Sequence, residues 1–173
     1  MTLNIIVAAD KHNGIGKDGN LPWYIPGEMA RFKKITTRVV NKNNINVVIM
    51  GRITHESIGH TLPDRINIVI SNTLNQATDL DIPNDIIIKK SLCDAIDYVT
   101  YNIPNVENIF IIGGERLYKD AMDNHEIDRI YLTRINKVYE CDRFLHIIDQ
   151  KKFKITYYEP YEVIEYIIYD NII

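Results

Sequence analysis

The chain has 173 residues, a formal net charge of −3, 46% hydrophobic residues and 25% charged residues. These values are ordinary for one globular domain, which we expect to span residues 1–173. A chain without an overall positive charge is unlike most nucleic-acid-binding domains. Its apolar runs are shorter than a membrane-spanning helix, and no secretory signal pattern is visible at the N-terminus. We therefore expect a cytoplasmic protein that binds neither nucleic acids nor membranes.

Cysteine and histidine usage gives no indication of a metal centre. The two cysteines, Cys93 and Cys141, are too few for a disulfide framework and lack the spacing of metal ligands. The five histidines show no paired helical spacing either. The composition is typical of a protein in a reducing compartment, and we predict no bound metal.

Short apolar runs predict buried strands in the first half of the chain, at 3–9, 45–50 and 66–70. A glycine-rich loop follows the first strand, and a helix is expected to begin near Pro26, since proline is favoured in a first helical turn. A short helical segment is expected at 55–58, and residues 71–84 have the composition of a loop.

The second half continues the alternation and then becomes rich in strands. Helices are predicted at 91–101, where Ser91 and Asp94 have capping-box spacing, and at 115–123. Strands are predicted at 86–88, 109–112 and 127–135, followed by a hairpin of 153–158 and 162–169. This order predicts an α/β fold with a mostly parallel central sheet of about eight strands, an antiparallel C-terminal edge hairpin and about four flanking helices.

Glu28 is a carboxylate on the apolar side of the first predicted helix. At 100° per residue its stripe also contains Phe32, Ile35 and Thr36, with Met29 at the edge. The cations of the same segment are predicted to point away from this stripe: Arg31, Lys33 and Lys34. A buried, ionised carboxylate needs a hydrogen-bonding partner. Glu28 is therefore either a half-exposed acid stabilised by the helix dipole or a ligand-binding acid in an apolar slot.

Two predicted strands end in turns suited to phosphate groups. Gly51 is followed by Arg52 and Thr54, and the strand at 109–112 runs into Gly113-Gly114. Backbone N–H groups at such turns bind anions, and ligands of α/β sheets bind beyond the carboxyl ends of strands. Neither turn fits the dinucleotide fingerprint Gly-x-Gly-x-x-Gly or the P-loop. The pattern predicts an anionic, planar ligand at this edge of the sheet.

Together these motifs resemble dihydrofolate reductase over essentially the whole chain. The step of five residues from Trp23 to Glu28 is similar to the bacterial-type spacing of that family. The matching segments are Ile6-Val7-Ala8, Gly14-Ile15-Gly16, Leu21-Pro22-Trp23, Glu28 with Phe32, Val48-Ile49-Met50-Gly51-Arg52 with Thr54, Leu62-Pro63 with Arg65, Ile112-Gly113-Gly114 with Tyr118, and Leu132-Thr133.

The resemblance implies that dihydrofolate is reduced to tetrahydrofolate by hydride transfer from NADPH, with protonation of the pteridine, which supplies one-carbon carriers for thymidylate synthesis. It implies that Glu28 accepts hydrogen bonds from the pteridine, that Thr133 holds Glu28, and that Arg65 binds the substrate's α-carboxylate. The catalytic residues implied are Glu28, Tyr118, Thr133, Leu21 and Trp23. The substrate-binding residues implied are Ile6, Val7, Glu28, Met29, Phe32, Ile58, Leu62, Arg65, Ile112 and Thr133.

For the cofactor, the resemblance implies a mobile lid over residues 14–23 and a cis peptide between Gly113 and Gly114. Arg52, Lys90 and Arg116 are expected near the adenosine 2′-phosphate, which favours NADPH over NADH. The cofactor-binding residues implied are Ala8, Ile15, Gly16, Asn20, Leu21, Gly51, Arg52, Ile53, Thr54, Ser71, Asn72, Lys90, Ile112, Gly113, Gly114, Glu115, Arg116, Leu117 and Tyr118.

Four positions depart from the usual pattern of the family: Asp64, Asn72, Arg143 and His146. The segment that follows Asp142 is expected to lie away from the chemistry. We expect a single-function monomer, and the sequence leaves open a physiological partner such as thymidylate synthase. Two alternatives stay open, a pyrimidine reductase of the riboflavin pathway and a non-catalytic binding module of the same fold. The spacing from Trp23 to Glu28 and the presence of Arg65 speak against the first, and intact Glu28 and Tyr118 speak against the second.

Overall fold

One eight-stranded sheet runs through the protein, which a computed structural model describes at residues 1–76, 79 and 82–173. Four helices flank the sheet: α1 (Glu28–Thr37), α2 (Arg52–Ile58), α3 (Leu92–Asn102) and α4 (Glu115–Asn124). The strands are β1 (Thr2–Ala9), β2 (Gly14–Gly16), β3 (Ile45–Gly51), β4 (Arg65–Ile70), β5 (Ile86–Lys89), β6 (Val106–Ile111), β7 (Arg129–Ile135), β8 (Arg143–Phe144), β9 (Phe153–Pro160) and β10 (Ile164–Asn171).

The strand order is β5-β4-β3-β6-β1-β7-β10-β9. All pairs from β5 to β7 are parallel, whereas β10 pairs antiparallel with both β7 and β9. This confirms the predicted α/β fold with its antiparallel edge hairpin. Because parallel strands place their carboxyl ends at one edge, β1, β3 and β6 deliver their following loops to the same place.

The two faces of the sheet carry separate apolar clusters, because successive side chains of a strand point to opposite faces. On β1, Ile5 and Val7 belong to one cluster, whereas Ile6 belongs to the other. Phe32 of α1 and Ile58 of α2 pack against the cluster that contains Ile6. The face of Ile6 is therefore the one on which the slot beside Glu28 forms.

Two helices begin at other residues than predicted. The helix predicted to begin near Pro26 begins two residues later, at Glu28, because its N-cap Gly27 has a left-handed φ of 84°. The helix after β3 begins at Arg52 rather than at His55, so Gly51 itself is its N-cap. Both changes bring the predicted functional residues closer to a helix N-terminus than the sequence indicated.

Several local predictions are confirmed. The Ser91 hydroxyl accepts the backbone N–H of Asp94 at 3.0 Å and caps α3. The helix predicted at 115–123 is α4, on which Leu117, Tyr118 and Ala121 are buried. In the predicted loop 71–84, residues 77, 78, 80 and 81 lie outside the described part, and the rest contains neither helix nor strand. None of the helices in the described ranges is long and apolar enough to cross a membrane.

A small second sheet was not predicted. It consists of β2, which contains Gly14 and Gly16, and β8, whose Arg143 and Phe144 pair with them. Strands of two and three residues carry too short a pattern to be recognised in a sequence. This sheet joins the glycine-rich loop to the segment that follows Asp142.

A buried amide, that of Asn46, fixes α1 to the sheet. Its Nδ2 donates to the carbonyl oxygens of Thr36 at 3.0 Å and Arg38 at 2.8 Å, at the end of α1. Its Oδ1 accepts the backbone N–H of Asn108 on β6 at 3.0 Å. The helix that carries Glu28 is thereby held in register with two strands.

We predict that Asn46→Ala destabilises the protein by about 2 kcal/mol, since buried backbone groups lose their partners. Urea unfolding followed by circular dichroism measures this loss. The matched control is Asn43→Ala at an exposed position, which should stay within about 0.5 kcal/mol of the wild type. Equal midpoints for the two variants would contradict the anchoring role.

Candidate active site

The carboxylate of Glu28 lies at the start of α1 and reaches the sheet. Its Oε1 accepts the hydroxyl of Thr133 on β7 at 2.7 Å, whereas its buried Oε2 has no hydrogen-bond partner among the described residues. Burial raises the pKa of Glu28, against the opposing effects of the Thr133 hydrogen bond and the charge of Arg31. Glu28 thus lies in the first helical turn and is half-buried, with Oε2 shielded from solvent. Its role as a ligand-binding acid stays a prediction.

Trp23 supplies a second buried polar atom without a described partner. Its indole Nε1 is inaccessible to solvent, and its ring packs edge-on against Tyr139 with 5.4 Å between the centroids. An indole N–H is a donor only, whereas the free oxygen of Glu28 is an acceptor. Buried polar groups are nearly always paired, so both atoms are suited to a ligand or to ordered water.

Apolar side chains form the walls of the slot on the Ile6 face. Residues of the slot that belong to one apolar cluster are Ile6, Phe32, Ile58, Leu62 and Ile112. Met29 does not close this slot, since 63% of its surface is exposed. The Val7 side chain belongs to the cluster on the opposite face, so only its backbone is available to a substrate on the Ile6 face.

Arg65 is a buried cation at the start of β4, with 7% of its surface exposed. Its Nε donates to the carbonyl oxygen of Pro63 and its Nη1 to the hydroxyl of Thr36, each at 2.8 Å. Burial lowers the pKa of Arg65, and the charge of Asp64 partly offsets this effect. Asp64, one of the positions that depart from the family pattern, has a positive φ of 63°, which Asp adopts more readily than most residues. The guanidinium is therefore held in one orientation before any ligand arrives.

The two glycine turns meet at the carboxyl edge of the sheet. The backbone N–H of Gly51 donates to the carbonyl oxygen of Gly113 at 2.8 Å, and the peptide between Gly113 and Gly114 is cis, as the resemblance implied. Gly113 has a φ of 114°, and a Cβ there would lie 3.1 Å from the hydroxyl oxygen of Tyr118. Glycine is therefore favoured at this position, because its conformation is strained for other residues and because Tyr118 occupies the space that a Cβ would need.

Tyr118 connects α4 to the end of β1. Its hydroxyl donates to the carbonyl oxygen of Ile6 at 2.9 Å, and the residue is 5% exposed. Burial raises the pKa of Tyr118 well above its usual range. The hydroxyl therefore stays neutral, and it fixes the strand backbone that borders the slot.

The predicted phosphate-binding cations differ in their surroundings. Arg52 forms an ion pair with Glu56 one turn further on α2, with 2.6 Å between Nη1 and Oε1. Lys90 and Arg116 are exposed. The Ser71 hydroxyl is buried and accepts the backbone N–H groups of the residues two and three positions on, so it already has partners within its loop.

The other predicted cofactor residues lie around these turns. Ala8 is half-buried at the end of β1, and Ile15 and Gly16 are buried on β2. The remaining ones are Ile53 and Thr54 on α2, the exposed Asn72, and Gly114, Glu115 and Leu117 at the start of α4.

The lid of residues 14–23 is fixed from two sides. The backbone N–H of Asp18 donates to Oδ2 of Asp142 at 3.0 Å, and Oδ1 of Asn20 accepts the hydroxyl of Ser57 on α2 at 3.0 Å. Leu21 is 55% exposed within this lid. The segment after Asp142, which is expected to lie away from the chemistry, pairs through β8 with the lid strand β2.

The sequence of this chain is similar to those of known proteins. The family described as Dihydrofolate reductase matches residues 2–169. A dihydrofolate reductase of Schistosoma mansoni is 42% identical over 161 residues, which cover 89% of this chain and 83% of that protein. A dihydrofolate reductase of Heliothis virescens is 36% identical over 157 residues, covering 89% and 84%.

This chain belongs to the dihydrofolate reductase family. It is an oxidoreductase that reduces dihydrofolate to tetrahydrofolate with a nicotinamide cofactor. The Daucus carota protein named bifunctional dihydrofolate reductase-thymidylate synthase is 34% identical over 169 residues, which cover 95% of this chain and 31% of that protein. The bacterial-type spacing between Trp23 and Glu28 stays an interpretation of the sequence.

Asp10 is a structural residue of this dihydrofolate reductase that sequence reasoning missed. Its buried carboxylate accepts the backbone N–H groups of His12 at 2.8 Å, Gly14 at 2.7 Å and Tyr139 at 2.9 Å. Burial acts to raise the pKa of Asp10, but these hydrogen bonds outweigh it and the pKa is lowered. Asp10 thus fixes the base of the lid and, through Tyr139, the aromatic partner of Trp23.

The raised pKa of Glu28 predicts that Glu28→Gln is more stable than the wild type at neutral pH. An acid whose pKa is higher in the folded than in the unfolded state loses stability as pH rises from about 4.5 through the raised value. We expect a gain on the order of 1 kcal/mol for the neutral amide at pH 8, and no gain at pH 4. Urea unfolding at the two pH values measures it. A gain that is independent of pH would show that the charge is not the cause.

Proposed function

We propose that Glu28 is the substrate anchor of this dihydrofolate reductase. The observation that carries the proposal is that Glu28 keeps one buried carboxylate oxygen without a described partner, while Thr133 holds the other. A pteridine presents an amino group and a neighbouring ring N–H on one edge, which match the acceptors of a carboxylate. Hydrogen bonds between donors and an ionised carboxylate are the strong ones, and burial strengthens them.

Phe32, Ile58 and Leu62 would enclose the pteridine and the adjoining aromatic ring of the substrate. Ile6 and Ile112 form the floor of this slot, and Met29 would cover its mouth when the ligand is in place. We further propose that Arg65 binds the substrate's α-carboxylate. Its orientation is fixed by two hydrogen bonds, and a planar guanidinium can bind a carboxylate with two parallel hydrogen bonds.

The residues of the carboxyl edge fit a nicotinamide dinucleotide, and we propose NADPH. Gly113 and Gly114 form a cradle that a Cβ would fill, and Gly51 begins a helix with free backbone N–H groups. Arg52 and Thr54 would bind the pyrophosphate, and Lys90 and Arg116 the 2′-phosphate. When bound, the cofactor supplies the hydride.

The chain itself supplies orientation and a dry site. Tyr118 holds the carbonyl oxygen of Ile6 and thereby the strand end along which the nicotinamide would lie. The lid, which contains Leu21 and Trp23, would exclude bulk water from the path of the hydride. The indole N–H of Trp23 would order the single water molecule that protonates the pteridine. Because water would supply the proton to the pteridine ring nitrogen, the role of Glu28 would be to select the substrate form that reacts.

We also propose that residues 1–173 form a single catalytic domain that works as a cytoplasmic monomer. The residues proposed for the site lie on one sheet, which extends from Thr2 to Asn171, and on the helices and loops beside it. Cys93 and Cys141 are both free thiols, which fits a reducing compartment.

We predict that Glu28→Gln lowers kcat/KM for dihydrofolate roughly 100-fold or more, because the amide offers one acceptor where the carboxylate offers two. The decrease in NADPH absorbance measures turnover. The variant should bind NADPH with the wild-type Kd, measured by fluorescence titration. Glu162→Gln, at an exposed hairpin position, is the matched control. Turnover of Glu28→Gln at the wild-type rate would contradict the proposal that Glu28 anchors the substrate.

For the cofactor, we predict that Arg116→Gln raises the KM for NADPH about fivefold and leaves the KM for NADH unchanged, since NADH lacks the 2′-phosphate. An exposed ion pair is worth up to about 1 kcal/mol, which corresponds to that factor. The effect should shrink in high salt. Lys42→Gln removes the same charge from an exposed loop and is the control. An equal effect on both cofactors would argue against a 2′-phosphate contact.

A further inference from the structure

Arg31 lies one turn after Glu28 on α1, and its guanidinium stacks on an aromatic ring. Its Cζ lies 3.7 Å from the ring centroid of Tyr166 on β10. The prediction that Arg31 points away from the apolar stripe, like Lys33 and Lys34, is therefore wrong. A guanidinium at this distance from a ring is attracted by the electrons of the ring face, more strongly when water is partly excluded.

Tyr166 belongs to a row of side chains that crosses three strands. It lies directly opposite Thr133 of β7, and on its other side directly opposite Glu159 of β9. Directly opposite residues of an antiparallel pair point to the same face of the sheet. The three side chains therefore share the face that α1 covers.

Helix α1 contacts this row at two points. Glu28 accepts the hydroxyl of Thr133, and Arg31 stacks on Tyr166. Residues three apart on a helix have Cβ atoms about 5–6 Å apart, and opposite residues of neighbouring strands about 4.5–5.5 Å apart. The distance between Glu28 and Arg31 on the helix is thus similar to the distance between Thr133 and Tyr166 on the sheet.

A second acid lies beyond Tyr166. The carboxylate of Glu159 accepts the hydroxyl of Tyr161 at 2.5 Å and that of Tyr157. These hydrogen bonds, together with the charge of Arg31, lower the pKa of Glu159. The ring of Tyr161 also packs edge-on against Tyr166, with 5.5 Å between the centroids. Two carboxylates therefore lie near the Arg31–Tyr166 stack: Glu28 on the same helix as Arg31, and Glu159 on the strand beside Tyr166.

We propose that Arg31 is a positioning residue for the reaction: stacked on Tyr166, its guanidinium keeps Glu28 ionised and so able to accept both pteridine N–H groups. The proposal rests on the anchor role proposed for Glu28. Arg31 itself touches neither substrate nor cofactor in this arrangement. Its partner ring comes from β10, so the hairpin takes part in the electrostatics of the site.

The charge of Arg31 acts on four titratable groups: Glu28 of its own helix, Tyr166 of β10, and Tyr157 and Glu159 of β9. Burial raises the pKa of Glu28, and Arg31 opposes that rise. Without Arg31 the carboxylate keeps its burial and loses the opposing charge, so it should hold its proton to a higher pH.

The experiment is a pH titration of the Glu28 side-chain carboxyl by carbon-13 NMR in the ligand-free enzyme, with the signal assigned from its absence in Glu28→Gln. We expect the midpoint to rise by roughly 0.5 to 1 in Arg31→Gln. Arg31→Lys, which keeps the charge, should stay near the wild type. Lys34→Gln removes the same charge from an exposed position of α1 and should move the midpoint by less than about 0.2, because solvent screens it.

Two further variants keep the test decisive should Arg31→Gln fold poorly. Tyr166→Leu removes the stacking partner and should raise the midpoint in the same direction. Glu159→Gln removes the competing carboxylate and should lower it. The proposal would be overturned if the midpoint in Arg31→Gln were no higher than in Lys34→Gln. It would also be overturned if neither Tyr166→Leu nor Glu159→Gln changed the midpoint. The titration is carried out without substrate. Its result therefore tests the effect of Arg31 on Glu28 separately from the proposal that Glu28 anchors the pteridine.

Discussion

The hydrogen bond between Thr133 and Glu28 is the contact on which the site depends. It joins the first residue of α1 to the middle of β7, across 105 residues of sequence. A carboxylate that leaves water needs such a partner, and a single hydroxyl satisfies only one of its two oxygens. The protein therefore keeps a polar group whose burial costs stability, and this cost becomes binding energy when a suitable donor arrives. Strain of this kind is typical of functional sites.

Much of the fold could be predicted from the sequence because the strands are short apolar runs separated by polar turns. Capping by Ser91 and the left-handed Asp64 were also predictable, because both depend on local backbone preferences. The anchor Glu28 was recognisable because a charge on an apolar stripe is exceptional. Each of these features is determined by residues that lie close to it in the sequence.

The rest depends on contacts between distant segments. At 100° per residue Arg31 lies only about 60° from Glu28 around α1, whereas Lys33 lies farther from it. The stacking of the Arg31 guanidinium on Tyr166 of β10 could not be predicted, because it depends on a strand that is distant in the sequence. The buried Asp10 gives no periodic signal, since its partners are backbone N–H groups of two loops. The prediction for Val7 also failed to take the sheet into account. Ile6 and Val7 were both predicted to bind the substrate, but side chains alternate along β1, so Val7 lies on the face opposite Ile6.

The place of β10 in the sheet has a consequence for biosynthesis. Strands β9 and β10 are translated after every other strand, yet β10 pairs with β7 and carries the ring beneath Arg31. While the ribosome is still adding these residues, the emerging polypeptide leaves one edge of β7 unpaired and Thr133 without its cross-strand neighbour. Pairing between distant segments forms slowly, and open strand edges attract other chains. The eight-stranded sheet is therefore complete only when this hairpin has closed.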